Sequence, residues 1–343
     1  MPSALISVFL AFAASMVAIR VLAPAAHRFG LLDVPTGRKV HDKPTPLVGG
    51  LAAYVAVLVA IELGAPISGE SIYFLLGGSI VLTVGLFDDY KPLGVRVRLL
   101  FQCAAVGLVI WGTDLYVKHL PVPFTTERFD LGVFGIPFTM IAVIGLMNAF
   151  NLVDGIDGLA GSLAIIAVIG IYSFASLRNS TQDHSLVLIL AFALVPYLLH
   201  NLGILGQKVF LGDAGSMFIG FVIAWTLISQ AESYPPTLEA SSVLWCVAIP
   251  VIDTLGVMLR RVRKGASPFK PDRDHLHHIL LRAGMSSRMA LIAILSSALV
   301  VLAFGVVVET VIPQYAVLAF ISLFGLYTYV LLHAWKVQKF LKR

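Results

Sequence analysis

The sequence predicts an all-α polytopic integral membrane protein of about eleven transmembrane helices, and three observations carry that prediction. First, 58% of its 343 residues are hydrophobic and 13% are charged, with mean hydropathy +0.92, a composition that excludes a soluble globular chain. Second, eleven apolar runs approach the roughly 20 residues that a spanning helix needs. Third, Lys and Arg segregate onto alternate loops. One set holds twenty of them, in the segments 28–43, 91–98, 208, 260–288 and 336–343, against Lys118, Arg128 and Arg178 in the other. Such an excess marks the cytoplasmic side, so the N-terminus is expected in the periplasm and the C-terminus in the cytoplasm. These loops also account for the net charge of +5, with no need to invoke nucleic acid.

Taken in order, the expected spans are 3–24, 47–63, 70–87, 98–117, 133–150, 159–176, 185–202, 209–229, 242–260, 289–308 and 313–334. The first lacks a basic segment before its apolar run, so it is read as a retained span and not as a cleaved signal peptide. The fourth and fifth are interrupted by Gly and polar residues. Between them, 117–134 is expected to form a short extracytoplasmic hairpin, with Pro121 and Pro123 confining it to edge strands. Cys103 and Cys246 both fall in apolar runs and read as small buried hydrophobes rather than a disulfide. No long polar stretch separates a soluble domain, so 1–343 reads as one transmembrane domain. Its expected cytoplasmic loops are about 25–46, 88–97, 151–158, 203–208 and 261–288.

The motifs all fall on that cytoplasmic face. Asn148-Ala-Phe-Asn151-Leu-Val-Asp154-Gly-Ile-Asp157-Gly158 sets two amides and two acids between apolar runs. A charge within a bilayer costs several kcal/mol, about 2.5–3.5 by insertion scales, so such residues are usually functional. A plain polar turn needs fewer of them. Asp88-Asp89 closes the third span, where the helix dipole disfavours negative charge; a solvated cap is the bland reading, and a cation or a general base the chemical one. Asp213, between Gly212 and Gly215 at the start of the eighth span, reads either as an N-cap or as a metal ligand. Asn201 stands just before that loop. Carboxylates and amides are hard oxygen ligands suited to magnesium or manganese, and through the ion to phosphate. Arg273, His275, His277 and His278 lie in a basic loop without a cysteine, which fits pyrophosphate binding better than zinc. Asp253, inside the ninth run, reads as a second-sphere ion partner or a buried acid near the site. Lys39 and His41 sit in a proline-stiffened basic loop, suited either to anionic headgroups or to a phosphate at the interface.

Together, the stretches "RKVHDKPTPLVGG", "FDDY", "NAFNLVDGIDGLAG", "VFLGDAGS" and "SPFKPDRDHLHHILLRAG" resemble the polyprenyl-phosphate N-acetylhexosamine-1-phosphate transferases along the whole chain. The resemblance is nearer to the branch that uses UDP-GlcNAc and undecaprenyl phosphate than to the muramyl-pentapeptide branch. That branch carries three consecutive histidines where this chain reads His275-Leu-His277-His278. The resemblance implies transfer of GlcNAc-1-phosphate from UDP-GlcNAc to undecaprenyl phosphate in a bacterial inner membrane, the first membrane step of O-antigen or other envelope polysaccharide synthesis. It implies Mg2+, with Mn2+ as the alternative, and leaves a homodimer open. It implies Asp213 and Asp154 as metal ligands, with Asn148, Asn151, Asp154 and Asp157 lining the nucleotide and metal site. By the same resemblance Asp88 deprotonates or orients the lipid phosphate, and the histidine loop with Arg273 holds the donor. The rival readings are another UDP-N-acetylhexosamine donor and, from a different class, a cation-coupled carrier.

Overall fold

The computed structural model describes residues 2–35, 43–64, 69–125, 127–180, 184–233, 236–268 and 274–333. Lys39, His41 and Arg273 lie outside them. The α-helices, in chain order, are α1 (Pro2–Phe29), α2 (Gly49–Gly64), α3 (Gly69–Tyr90), α4 (Val95–Thr113), α5 (Gly135–Val153), α6 (Leu159–Leu177) and α7 (Ser185–Asn201). They continue as α8 (Gly212–Glu232), α9 (Ala240–Cys246), α10 (Ala248–Arg263), α11 (Leu276–Arg282), α12 (Ser287–Val311) and α13 (Ala316–Leu332). Each expected span overlaps one of these helices, the ninth overlapping two. Eight helices are long and apolar enough to cross a membrane, and α9 with α10, bent by 85°, makes a ninth if the pair is one span. Helices α2 and α7 are apolar but only 16 and 17 residues long. The protein is thus an all-α, multi-pass membrane protein.

The bend between α9 and α10 has a covalent cause. Pro250 lacks an N–H, and its ring clashes with the carbonyl four residues earlier, that of Cys246, where α9 ends. The surface is that of a chain solvated by lipid. Trp111 is 78% exposed, Phe9 70% and Val300 68%, a display that water would not tolerate over many helices. Helix α8 is the opposite case. Met217 to Leu227 are almost all buried, as expected of a helix apolar all round. Cys103 and Cys246 are both free.

The chain divides into two compact units. The first comprises Met1–Tyr116, Ile136–Asn151 and Asp183–Thr226. In it α1 packs on α2 and α7, α2 on α7, and α3 on α4. Strands β1 (Leu32–Asp33) and β2 (Thr45–Pro46) pair antiparallel and close the base of the basic loop that carries Lys39 and His41. That base is tied to the segment entering α8: Phe210 N–H donates to the Pro46 carbonyl at 2.8 Å, and Leu47 bridges to Phe210. Two N–H groups at the start of α2, which no helical carbonyl can serve, donate instead to Phe210 and Leu211 carbonyls at 2.9 and 3.0 Å. Gly50 and Gly215 lie backbone to backbone there, and a methyl on either would overlap the other.

The second unit comprises Val117–Gly135, Leu152–Gln182 and Leu227–Arg343. Helix α12 packs on α6 and α9, and α13 on α10. Strands β3 (His119–Pro121) and β4 (Arg128–Asp130) form the expected hairpin in register His119↔Asp130. Around it gather the turns of the Lys/Arg-poor side. Arg128 and Arg178 both pair with Glu239, at 2.9 and 2.6 Å. The Lys118 and His119 N–H groups donate to Glu232, and Phe124 N–H donates to the Gln314 carbonyl between α12 and α13.

Candidate active site

In the first unit, the ends of α3, α5 and α8 bring Asp88, Asp89, Asn151 and Asp213 together, with Arg98 from α4. Asp89 accepts the Asp213 and Ala214 backbone N–H groups, at 2.8 and 3.2 Å, one on each carboxylate oxygen. It caps α8 from another helix, at the end where the dipole favours an acid. Asp213 is not its own cap. Its Oδ1 accepts from the Asn151 amide at 2.8 Å, and its Oδ2 lies 3.6 Å from Arg98. Arg98 also donates to Asp88 Oδ2 at 2.7 Å, while Asp88 Oδ1 accepts the Leu93 N–H. One guanidinium therefore serves two carboxylates that would otherwise repel.

Asn151 commits its amide nitrogen, to Asp213 and to Ser216 Oγ at 3.1 Å, and among the described residues not its side-chain oxygen. Asn148, one turn earlier on α5, donates to Gln102 Oε1 at 3.1 Å, and buried Gln102 donates to Met217 Sδ. Asn201 is buried and donates to the Val209 carbonyl, pinning the loop before α8. Among the described residues no group of three or more His, Cys, Asp or Glu side chains forms a ready-made metal cage. Magnesium rarely uses one: it takes one or two carboxylates, with water and substrate phosphate completing the shell. Asp213, its side chain 39% exposed, with the side-chain oxygen of Asn151, fits that donor set.

In the second unit, the loop from Asp154 to Gly158 meets the histidine segment. Asp154 and Asp157 are half-buried. A methyl built on Gly155 would overlap Nε2 of His277, so only glycine lets that ring lie against the loop. His277 stacks parallel to His275 at 6.2 Å and is tilted on His278 at 4.1 Å. Burial, helped by the charges of His278 and His275 against that of Asp253, pushes the His277 pKa down to about 3, so this ring is neutral at physiological pH. His275 Nδ1 bonds Asp253 Oδ2 at 2.8 Å. Asp274 gathers Arg260 at 2.6 Å, Arg282 at 3.2 Å and Lys264 at 3.8 Å, anchoring the segment to α10 and leaving a cationic surplus beside it.

The motif reading passed over Gln102 and Tyr327, and gave Ser216 and Arg98 no role of their own. A signal existed for two of them. Arg98 and Gln102 stand four apart in a largely apolar helix, hence on one face.

Hard oxygen donors and a bridging arginine thus gather at helix ends of a multi-pass helical protein, a set suited to a phosphate group. The model for glycosyl transferase family 4 matches residues 71–231. An undecaprenyl-phosphate alpha-N-acetylglucosaminyl 1-phosphate transferase of Escherichia coli O157:H7 is 38% identical over 93% of this chain and 88% of its own length. Proteins of the same name from Yersinia pestis and Haemophilus influenzae are 38% and 35% identical, over 97% and 99% of this chain and 92% and 97% of theirs. The chain belongs to the family of these polyprenyl-phosphate sugar-1-phosphate transferases, and it is a phosphoglycosyltransferase.

Proposed function

We propose that the protein transfers GlcNAc-1-phosphate from UDP-GlcNAc to undecaprenyl phosphate, giving undecaprenyl-diphosphate-GlcNAc and UMP, in the bacterial inner membrane. The observation that carries this reading is 35–38% identity, along nearly the whole chain, to relatives named for that acceptor and that sugar phosphate. An oxygen of the lipid phosphate attacks the phosphorus that bears the sugar. The bond from that phosphorus to the bridging oxygen breaks, and UMP leaves with the electron pair. Such a reaction is catalysed mainly by positioning and charge neutralisation.

Asp213 and Asn151 would hold Mg2+ or Mn2+. The bound ion would neutralise the pyrophosphate as charge builds on the leaving UMP. Arg98 holds Asp88 and Asp213 apart from mutual repulsion, and Asp89 fixes the first turn of α8 on which Asp213 stands. Lys39 and His41 grip a phosphate at the interface; Arg273 and the histidines hold the donor. Purified protein with both substrates and magnesium should release UMP. Absence of UMP release under every donor of a UDP-N-acetylhexosamine panel would reject the reading, and a better rate with another member would replace GlcNAc.

The same reading places the reaction at the cytoplasmic face of eleven spans, with the N-terminus in the periplasm. Its support is the bias of Lys and Arg, together with the meeting of the poor-side turns at Glu239 and Glu232 in the second unit. A reporter active only in the periplasm, fused after Arg343, should stay silent; activity there would overturn the orientation. Gly155→Ala pushes the His277 ring from its place, and a displacement of about 1 Å can cost about 100-fold in rate. We expect a loss of that order in kcat/KM for UDP-GlcNAc with thermal unfolding unchanged. A variant within twofold of normal would show that His277 has no part in the transfer.

A further inference from the structure

The second unit holds a carboxylate that no motif contains and that organises the histidine segment. Asp253 is 1% exposed and 22 residues from His275 in sequence. Its Oδ2 accepts from His275 Nδ1 at 2.8 Å, while its Oδ1 accepts the Leu276 backbone N–H at 2.9 Å and the Tyr327 hydroxyl. Three donors satisfy one buried charge, as burial demands. The Tyr327 ring is seated rather than swinging. It packs with Val257, Ile279 and Leu331, and a Cβ at Gly256 would come within 3.1 Å of it.

A carboxylate can only accept, so Nδ1 of His275 carries the proton of that hydrogen bond, and in the imidazole tautomer so fixed the lone pair lies at Nε2. That Nε2 is buried and, among the described residues, has no hydrogen-bond partner. The ring itself is 3% exposed. An orphaned acceptor inside a satisfied network calls for a ligand group that donates.

We infer that Asp253 and Tyr327 are positioning residues of the transfer, fixing the ring and tautomer of His275 so that Nε2 accepts a hydrogen bond from an N–H or O–H of the nucleotide-sugar donor. This rests on the proposed function for the identity of the ligand, but not for the tautomer. It also separates His275 from the cationic groups around Asp274, which suit the pyrophosphate.

The first test needs no turnover. In enzyme labelled with 15N-histidine, with His275→Gln to assign the signal, Nδ1 of His275 should be protonated and Nε2 bare. Asp253→Asn should reverse this. The oxygen of the new amide stays with the Leu276 N–H and the Tyr327 hydroxyl, so its NH2 faces Nδ1 and drives the proton to Nε2. A protonated Nε2 in the wild type would overturn the inference whatever the enzyme does. The second test is kinetic. Asp253→Asn should lower kcat/KM for UDP-GlcNAc by about 100-fold, as wrong-tautomer and outer-shell changes do. Tyr327→Phe, which deletes only one hydroxyl and serves should the first variant misfold, should cost about 10-fold. The KM for undecaprenyl phosphate should stay within twofold in both. In a His275→Ala background neither change should matter further. Losses that instead add to that of His275→Ala would make both residues structural only. Failure of the wild type to release UMP would sink the proposed function and leave the tautomer result standing.

Discussion

Asp213→Asn is expected to lower kcat by about 1,000-fold or more, the scale on which preorganised charge and metal positioning act in phosphoryl transfer, while the protein keeps its fold. The substitution keeps the side-chain volume and leaves one oxygen to accept from Asn151. The first turn of α8 does not depend on the lost charge, because Asp89 caps it through the backbone of Asp213 and Ala214. What disappears is the one acid of the group that is still partly exposed and not fully committed to protein donors. Asp89→Asn offers the contrast. It turns an NH2 toward one of two buried backbone N–H groups, so its main effect should be lost stability, by roughly 1–3 kcal/mol for an unsatisfied pair. UMP release at saturating substrates, beside thermal unfolding, separates the two. Near-normal turnover of Asp213→Asn at ordinary magnesium would remove Asp213 from the ion site.

How much of this was legible in the sequence differs by level. All eleven apolar runs became helices, because run length and hydropathy are local properties that lipid solvation rewards directly. The 85° break in the ninth run was written there too, as Pro250 in the middle of 242–260, yet a span-length count passes over it. The hairpin at 117–134 followed from its place between spans, its prolines limiting it to edge strands. The acids were found because ionised groups stand out in apolar surroundings. Their partners were not, since Arg98 and Asp213, or Tyr327 and Asp253, are joined across 74 residues or more. A polar residue alone in a span announces that it has a partner, and not which one. The sequence pairing of Asp88 with Asp89 suggested one shared role. The folded chain separates them: Asp89 faces backbone N–H groups, and Asp88 faces a guanidinium.

That separation bears on the route of transfer, and Asp88→Asn is the second change expected to be severe, about 100-fold or more in kcat. In one route Asp88 attacks the donor and forms a phospho-sugar enzyme that the lipid phosphate then resolves. In the other the lipid phosphate attacks directly and Asp88 holds Arg98 in place. A nucleophilic carboxylate needs a free oxygen. Both oxygens of Asp88 are engaged, Oδ1 by the Leu93 N–H and Oδ2 by Arg98 at 2.7 Å. Covalent catalysis also helps most when the final nucleophile is weak, whereas a lipid phosphate is already anionic. The geometry therefore favours a single displacement, with Asp88 setting the direction of Arg98. In Asp88→Asn the new NH2 opposes the guanidinium, which turns away and leaves Asp213 without its counter-charge. The expected result is that wild-type enzyme stripped of all lipid phosphate does not exchange labelled UMP into UDP-GlcNAc, and that adding undecaprenyl phosphate restores exchange through the product. Robust exchange that survives delipidation, and is lost in Asp88→Asn, would establish the covalent route in its place.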